Sequence, residues 1–541
     1  TLVVTSKVAY MWTDGRYFIQ AEKQLDGSGI TLMKQGLKDV PKVIEFLDDN
    51  MGTDDLLAFN GRLVNVETYE RFSKRLLRTD MHRRICDCDL VGDLADDIEY
   101  SDIWELTLEY SGESAISKID RIRDNNRFKA ADGVLISDLC DIAWTLNLRG
   151  DDLAHVKVFF SYLIITNRDV ILYVHLSSLQ GVTKYLDDMG VVLRDYDDIY
   201  TDLSDSNFYQ RHGIYKMLID LRSLNTSIYS LLKEKVEVLS AASIPGYMKC
   251  IKNQTEIDNT INAHIKDGVA VTKFIYQLDK LLKTRQTELS LANRLHELRA
   301  ESEGFLDESF DTISAWAEHG AIVHYEPTLD SDVVIDNDNF LLVDSGGHYL
   351  EGTTDITRTF LIGKATPKMI RDYTLVLKSN INLAKAKFLS GTSCKSLDIL
   401  ARDVLWSEGV DFLHGTGHGV GHILSVHEGP NNISFRNTKD ITMMPGMITT
   451  DEPGIYLEGE YGIRLENELL CVEDVENSYG TFYRFECLTL VPFQRECIDK
   501  DMLTDDELLY LNDYHRKVYE KISPYLDEDE KSWFSEVTKE I

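Results

Sequence analysis

Basic residues are scarce in this chain. Its 541 residues hold 57 lysines and arginines against 91 aspartates and glutamates, a formal net charge of -34. That deficit argues against nucleic acid or an anionic membrane as partner, because both require a positive surface. The excess acid falls largely in solvated runs such as EDVEN and LDEDEKSWF. Cysteine is also sparse: eight are scattered, and the only close pair, Cys86 and Cys88, fits neither a CxxC nor a zinc-knuckle spacing. The pattern supplies no disulfide framework and reads as free thiols in a reducing compartment. No apolar run reaches the roughly 18 residues of a membrane span, and no basic-apolar leader is present. The cytoplasm is therefore the expected location. The chain opens directly in the strand-like run TLVVTS, so a preceding segment is expected. No repeat at a fixed period is visible.

What is present is 43% hydrophobic and long enough for two to four domains. TLVVTS and AYMWTD read as a hairpin, followed by a helix from about Tyr17 and a second helix in KDVPKVIEFLDDN, with Pro41 near its start. This opening is short for an α/β domain and reads as a partial one over residues 1–90. The aspartate-rich stretch from Asp89 to Asp102 reads as a linker. A second α/β unit, 91–247, carries the hairpin FFSYLIITNRDVILYVHL, a short helix in GVTKYLDDMG and the strand VVLRDY, with Pro245-Gly246 marking its end.

From Lys249 the texture changes. Apolar residues at Ile257, Ile261, Ile265, Val269, Val271, Ile275 and Leu278 predict a long amphipathic helix, and ELSLANRLHELRAES a second. The strands FLLVDS, ITRTFLIG, MITTDEP and YGIRLENELLCVE follow, with helices from Pro367 to Phe388 and Cys394 to Glu408 between them. A final helix is capped by Thr504. Strands in hairpins flanked by helices describe an α+β catalytic domain over 248–541.

Five candidate metal ligands lie in that last part: Asp344, Asp355, His418, Glu452 and Glu466. A lone carboxylate is ordinarily a surface residue or a helix cap. Asp344, however, ends a strongly apolar strand, where burial is costly unless a cation or several donors satisfy it. Asp355 begins the next strand, and pairing of the two strands would turn both carboxylates toward one point. Glu452 stands beside Pro453-Gly454 at another strand end. Glu466 follows Arg464 by two residues, so the two share a strand face and the arginine can orient a ligating carboxylate. His418 is one of four histidines in 14 residues, with His414, His422 and His427, among glycines that argue against a helix and hence against an HExxH zinc site. Oxygen ligands with one imidazole suit manganese or a related hard cation, and zinc or cobalt also fit. A calcium-stabilised structural site is the competing reading. A pair of cations would make the site hydrolytic.

Taken together, YMWTDGRYFIQAEKQL, DIAWTLNLRG, FFSYLIITN, HYEP, VDSGGHYLEGTTDITRTF, HGTGHGVGHILSVHEGP, TTDEPGIYLEGEYGIRLENELL and FECLTLVP resemble the cytosolic aminopeptidase P, or Xaa-Pro aminopeptidase, family of the pita-bread metallopeptidases. The resemblance runs through nearly the whole chain. It implies two related α/β domains ahead of a pita-bread catalytic domain, two Mn2+ per subunit, and a homodimer. It makes Asp344 a ligand of one metal, His418 and Glu452 ligands of the other, and Asp355 and Glu466 bridges. It places His324 on the opposite wall of the site, His414 near the scissile bond and His427 against the substrate or in proton transfer. It makes Arg464 a supporting arginine and brings Arg16 to the site mouth, although a structural salt bridge at a helix start explains Arg16 equally well. Arg149 falls in a second family signature. Trp12 and Trp144 read as core. His422 stands where a small residue is the family pattern.

The implied reaction is hydrolysis of the first peptide bond of peptides with proline second. Proline's tertiary nitrogen donates no hydrogen bond and bends the chain, so a pocket must fit the ring. Two alternatives remain. A prolidase would cut Xaa-Pro dipeptides with much the same ligands, but on a shorter, two-domain chain. A non-catalytic binding protein of the same fold would be expected to have lost ligands.

Overall fold

A computed structural model describes residues 1–52, 55–76, 82–86, 99–437 and 440–541, with 82–86 described for the backbone alone. Most of the expected linker from Asp89 to Asp102 lies outside the described residues. The chain forms two compact units, one of residues 1–12 and 35–249, the other of residues 13–34 and 250–541.

In the first unit, Leu2–Val4 pairs antiparallel with Ala9–Thr13 as the expected hairpin. The helix Val43–Asn50 begins after Pro41, with Lys42 at its N-cap position. Trp12 is buried here, edge-on to Phe46 and donating Nε1–H to the Pro41 carbonyl at 2.7 Å. Strands Leu56–Asn60 and His82–Cys86 run parallel.

The main sheet of this unit has six strands, in the order Val191–Asp195, Val170–Val174, Ser161–Thr166, Gly133–Ile136, Lys216–Ile219 and Glu237–Ser240. The hairpin read from FFSYLIITNRDVILYVHL is antiparallel, Ser161–Thr166 also pairs antiparallel with Gly133–Ile136, and the remaining pairs of the sheet are parallel. Both hairpin strands are buried throughout, which explains their continuous rather than alternating apolar pattern. Arg149 and Trp144 are buried in this unit as well. Arg149 donates to the carbonyls of Ala143 and Leu148, and Trp144 lies under the Lys118 ammonium at 4.1 Å. Pro245-Gly246 sits inside the short helix Ile244–Lys249, where proline occupies the first turn and so needs no N–H partner, and the first unit ends with that helix at Lys249.

The second unit is α+β. Its long helix, Gln254–Leu281, is closed at the N-terminus by a capping box of Asn253 and Glu256. The apolar residues read from the sequence supply only part of its inward face. Ala263, His264, Asp267, Gly268 and Phe274 are buried too, and Asp267 is neutralised by the guanidinium of Arg299 at 2.7 Å. Arg299 belongs to the next helix, Glu288–Ala300.

Two sheets carry the site. In one, Ile313–Trp316, Asn339–Ser345 and Ile356–Ile362 run antiparallel, with Asp344 opposite Thr357. In the other, Gly417–Gly419, Ile448–Asp451 and Asn467–Asn477 are neighbours. Helices Pro367–Ala384 and Cys394–Trp406 pack over a core that includes Tyr373, Val376, Leu405, Ile463 and Phe485. Asp505–Ile522 follows Thr504, whose side chain accepts from the Glu507 N–H as expected of a cap. No helix among the described residues is long and apolar enough to cross a membrane.

Candidate active site

Strand register brings the acidic residues together. In the ladder between Ile448–Asp451 and Asn467–Asn477, Asp451 faces Asn467, and beyond it Gly454 faces Arg464 in a separate hairpin. Glu452 and Glu466 fall in the break between the two ladders, opposite one another. The strand read as one from Tyr461 onward is therefore two, Tyr461–Arg464 and Asn467–Asn477, and the interruption at Leu465-Glu466 turns Glu466 into the site. Glu466 Oε2 accepts from the Thr357 hydroxyl at 2.7 Å, and its N–H donates to the Thr357 carbonyl. Asp355 immediately precedes the strand that holds Thr357, and its N–H donates to Glu468 Oε1 at 2.7 Å.

His418 arrives on the short strand Gly417–Gly419, paired with Ile448–Asp451. Two glycines make such closeness possible. A Cβ at Gly417 would lie 1.8 Å from the Thr450 carbonyl oxygen, and one at Gly346 would lie 1.9 Å from that of Thr354. The His418 Nδ1 lies 3.0 Å from the Gly419 carbonyl, which can only accept. Nδ1 therefore carries the proton, and the Nε2 lone pair faces the carboxylates, 3.5 Å from Asp355 Oδ2 and 3.6 Å from Glu452 Oε1. Ligand atoms of Asp355, His418 and Glu466 all lie within 4.8 Å of one another.

All ten candidate residues line one cleft of about 360 Å³: Arg16, His324, Asp344, Asp355, His414, His418, His427, Glu452, Arg464 and Glu466. Tyr17, Gln20, Phe310, Ile313 and Asn432 complete much of its wall. Arg16 combines both of its expected readings, since it lines the cleft and holds Asp14 in a two-point ion pair at 2.8 Å. The neighbouring Tyr17 hydroxyl lies 2.9 Å from His324 Nδ1. The His427 ring sits 4.3 Å from that of His418, centroid to centroid. His422 points elsewhere: it is buried, with Nδ1 3.4 Å from the Thr260 hydroxyl of the long helix.

Arg464 orients Asp344 rather than its sequence neighbour Glu466, because its terminal nitrogen and Nε both reach Asp344 Oδ2. It also donates to the Tyr456 hydroxyl at 2.9 Å, and that hydroxyl lies 2.8 Å from His414 Nε2. His414 Nδ1 is 2.7 Å from the Gly415 carbonyl. Donor direction is thus fixed along the chain: arginine to tyrosine oxygen, tyrosine O–H to Nε2, Nδ1–H to carbonyl. Tyr456 was not among the sequence candidates. Its only signal was its place in the hairpin after DEPG, which gives no indication of direction.

The electrostatics of the site favour bound cations. Burial, then repulsion from Asp344, raises the Asp355 carboxyl well above the usual range, and burial with Asp355 and Asp344 does the same to Glu466. Burial pushes Glu452 up to about 8. Burial, followed by the neighbouring His427, brings His418 down to about 3, and burial with Arg464 and Arg16 brings His324 to about 3. Burial likewise lowers His427, with Arg16 as the next cause, and His414, with Arg464. Asp344 Oδ1 is buried with no hydrogen-bond partner. Crowded acids that resist ionisation, an orphaned carboxylate oxygen and a neutral imidazole aimed at them together fit hard divalent cations.

Comparison with known proteins agrees with this geometry. Residues 258–473 match the metallopeptidase family M24, 96–256 the creatinase/prolidase N-terminal domain and 481–541 the C-terminal region of peptidase M24. A probable Xaa-Pro aminopeptidase P of Botryotinia fuckeliana is 36% identical over 98% of this chain and 84% of its own. Aminopeptidase P1 of Arabidopsis thaliana is 33% identical over 100% of this chain and 91% of its own. The crystal structure of an X-prolyl aminopeptidase from Caenorhabditis elegans, described as a cytosolic enzyme with a di-nuclear active site, superposes with a TM-score of 0.95 at 33% identity, covering 100% of this chain and 90% of that one. An Xaa-Pro dipeptidase from Bacillus anthracis shares the fold at a TM-score of 0.57 and 24% identity, over 70% of this chain and 99% of its own.

Proposed function

The chain belongs to the Xaa-Pro aminopeptidase P family of M24 metallopeptidases, and from that membership and its cleft we propose how each residue serves the reaction. The activity is metal-dependent hydrolysis of the N-terminal Xaa-Pro bond. The observation that carries the assignment of roles is the convergence of ten candidate side chains on one cleft.

Two Mn2+ ions are the cofactor we assign, held by Asp344, Asp355, His418, Glu452 and Glu466, with Zn2+ or Co2+ as substitutes. When bound, such ions polarise the scissile carbonyl and make water nucleophilic near neutral pH. The chain's own residues do the rest. Arg464 fixes Asp344 by its two contacts, and Thr357 fixes Glu466. A water oxygen adds to the carbonyl carbon of residue one. Glu452 receives the proton that water gives up and passes it to the proline nitrogen as the C–N bond breaks. His427 donates its N–H to the developing oxyanion. His414, whose Nδ1 lies 3.9 Å from Glu452 Oε2, borders the scissile bond. His324 and Arg16 hold the substrate at the opposite wall and mouth, and the volume suits a residue followed by a proline ring.

The natural substrates are peptides beginning Xaa-Pro, and the cytoplasm is the compartment we assign, as for the C. elegans relative described as cytosolic. The assembly is a homodimer and the domain division is 1–90, 91–247 and 248–541, the middle part supported by the match to a creatinase/prolidase N-terminal domain over 96–256. Prolidase is the second reading. The B. anthracis Xaa-Pro dipeptidase covers 70% of this chain, whereas the C. elegans X-prolyl aminopeptidase covers all of it. The test is Arg-Pro-Pro. Release of free arginine supports the aminopeptidase, and an intact tripeptide with cleavage of Arg-Pro alone supports the prolidase.

A further inference from the structure

Behind the histidine loop lies an ion pair that the reaction has not yet used. Asp398 and Arg402 are one turn apart on the helix Cys394–Trp406, joined at 2.8 Å, and both side chains are 0% exposed. Burying such a pair is expensive, and a helix needs only apolar residues there for packing. Its hydrogen bonds go elsewhere. Arg402 donates to the carbonyls of Phe412 at 2.9 Å and His414 at 2.6 Å, and to Asp411 at 2.6 Å, with its guanidinium 3.8 Å above the Phe412 ring. Asp398 accepts the Thr416 hydroxyl at one oxygen and the Phe435 N–H at the other, the latter at 2.7 Å. The Thr416 carbonyl in turn accepts the Glu452 N–H at 2.8 Å.

We propose that Asp398 and Arg402 are positioning residues for catalysis, clamping the backbone on either side of the His414 ring, Arg402 at the Phe412 and His414 carbonyls and Asp398 at the Thr416 hydroxyl. This inference deepens the proposed function and rests on its reading of His414. The clamp has the chemistry for this task. A planar fork can serve the Asp398 carboxylate and the carbonyls of Phe412 and His414 at once, which a lysine ammonium on one flexible stem cannot. The Gly-rich segment 415–421 has little intrinsic stiffness, so its register depends on such anchors. The imidazole contributes only if it stays aligned with Tyr456 and Glu452, and displacement of about 1 Å at a reacting centre costs on the order of a hundredfold in rate.

The experiment is a double-mutant cycle on the full-length, manganese-loaded chain with an Xaa-Pro tripeptide. Arg402→Met is expected to lower kcat by roughly ten- to a hundredfold with KM and bound manganese little changed, and Arg402→Lys not to restore it. The double variant Arg402→Met/His414→Ala is expected to be no slower than His414→Ala alone, because the clamp acts through that ring. Multiplying losses would overturn the inference, since a merely structural defect adds to the loss of His414. If Arg402→Met does not fold, Thr416→Val, which removes only the hydroxyl bound by Asp398, replaces it in the same cycle with the same two outcomes. Wild-type turnover by His414→Ala would instead overturn the reading of His414, and the clamp proposal with it.

Discussion

Arg464 grips Asp344 at a single oxygen, with its terminal nitrogen 2.5 Å and its Nε 3.1 Å from Oδ2, and leaves Oδ1 buried without a hydrogen-bond partner. One oxygen is held and the other is left without a donor, on a side chain that lines the cleft. This is the arrangement expected of a carboxylate prepared for a cation, with the second oxygen orienting the first.

Replacing the fork should therefore loosen the metal before it loosens the fold. Arg464→Lys is expected to weaken manganese affinity by about 10- to 100-fold. It also removes the donor to Tyr456, so kcat should fall beyond what added manganese restores. Equilibrium dialysis and activity at saturating metal check the two effects separately.

Glu452 is assigned both a metal contact and the transferred proton. Glu452→Ala is expected to lower kcat by roughly 10²–10⁴-fold while leaving the circular dichroism spectrum and cooperative unfolding intact. Near-normal turnover would remove Glu452 from the proton path.

The raised carboxyls predict a pH signature. Glu452, lifted from 4.5 to about 8, binds its proton more tightly in the cation-free folded chain than in the unfolded one, and Asp355 and Glu466 are shifted the same way. Their contribution to stability is thus full below the ordinary carboxyl range and lost as pH rises through about 8 for Glu452. Cation binding holds the same groups ionised and expels those protons. The Tm gap between manganese-loaded and chelated protein should widen from pH 5 to pH 9, and binding should release protons measurable by calorimetry in buffers of different ionisation enthalpy. A gap independent of pH would contradict the electrostatic account.

His422, where the resemblance implies a small residue, meets the long helix at Thr260 and does not line the cleft. His422→Ala is expected to lower Tm and leave kcat and KM close to those of the parent chain, as measured by scanning calorimetry and steady-state kinetics.

Much of this was legible in the chain because the signals were local. A strand ending in aspartate before Gly346-Gly347, a glycine-spaced histidine run and DEPG each place one side chain at one strand end, and register does the rest. What was hidden depends on contacts between distant segments. The break at Leu465-Glu466 is invisible because YGIRLENELL reads as one β-rich run, and only the neighbouring strand at Thr357 holds Glu466 out of line. Tyr456, Asp398 and Arg402 look like ordinary residues of a hairpin and a helix, and their functions come from the partners they meet. The inward polar positions of the long helix, His264 and Asp267, run against the apolar periodicity, and Asp267 is buried because Arg299 of the next helix compensates it.

The central claim is that these five side chains hold a pair of cations that hydrolysis requires. The direct measurement is metal content and Xaa-Pro tripeptide cleavage on one folded sample, before chelation, after it, and after manganese is returned. The account predicts two manganese ions per chain, loss of activity on chelation, and recovery of both together. A folded chain that takes up no manganese, or that cleaves equally well without any divalent metal, would contradict it.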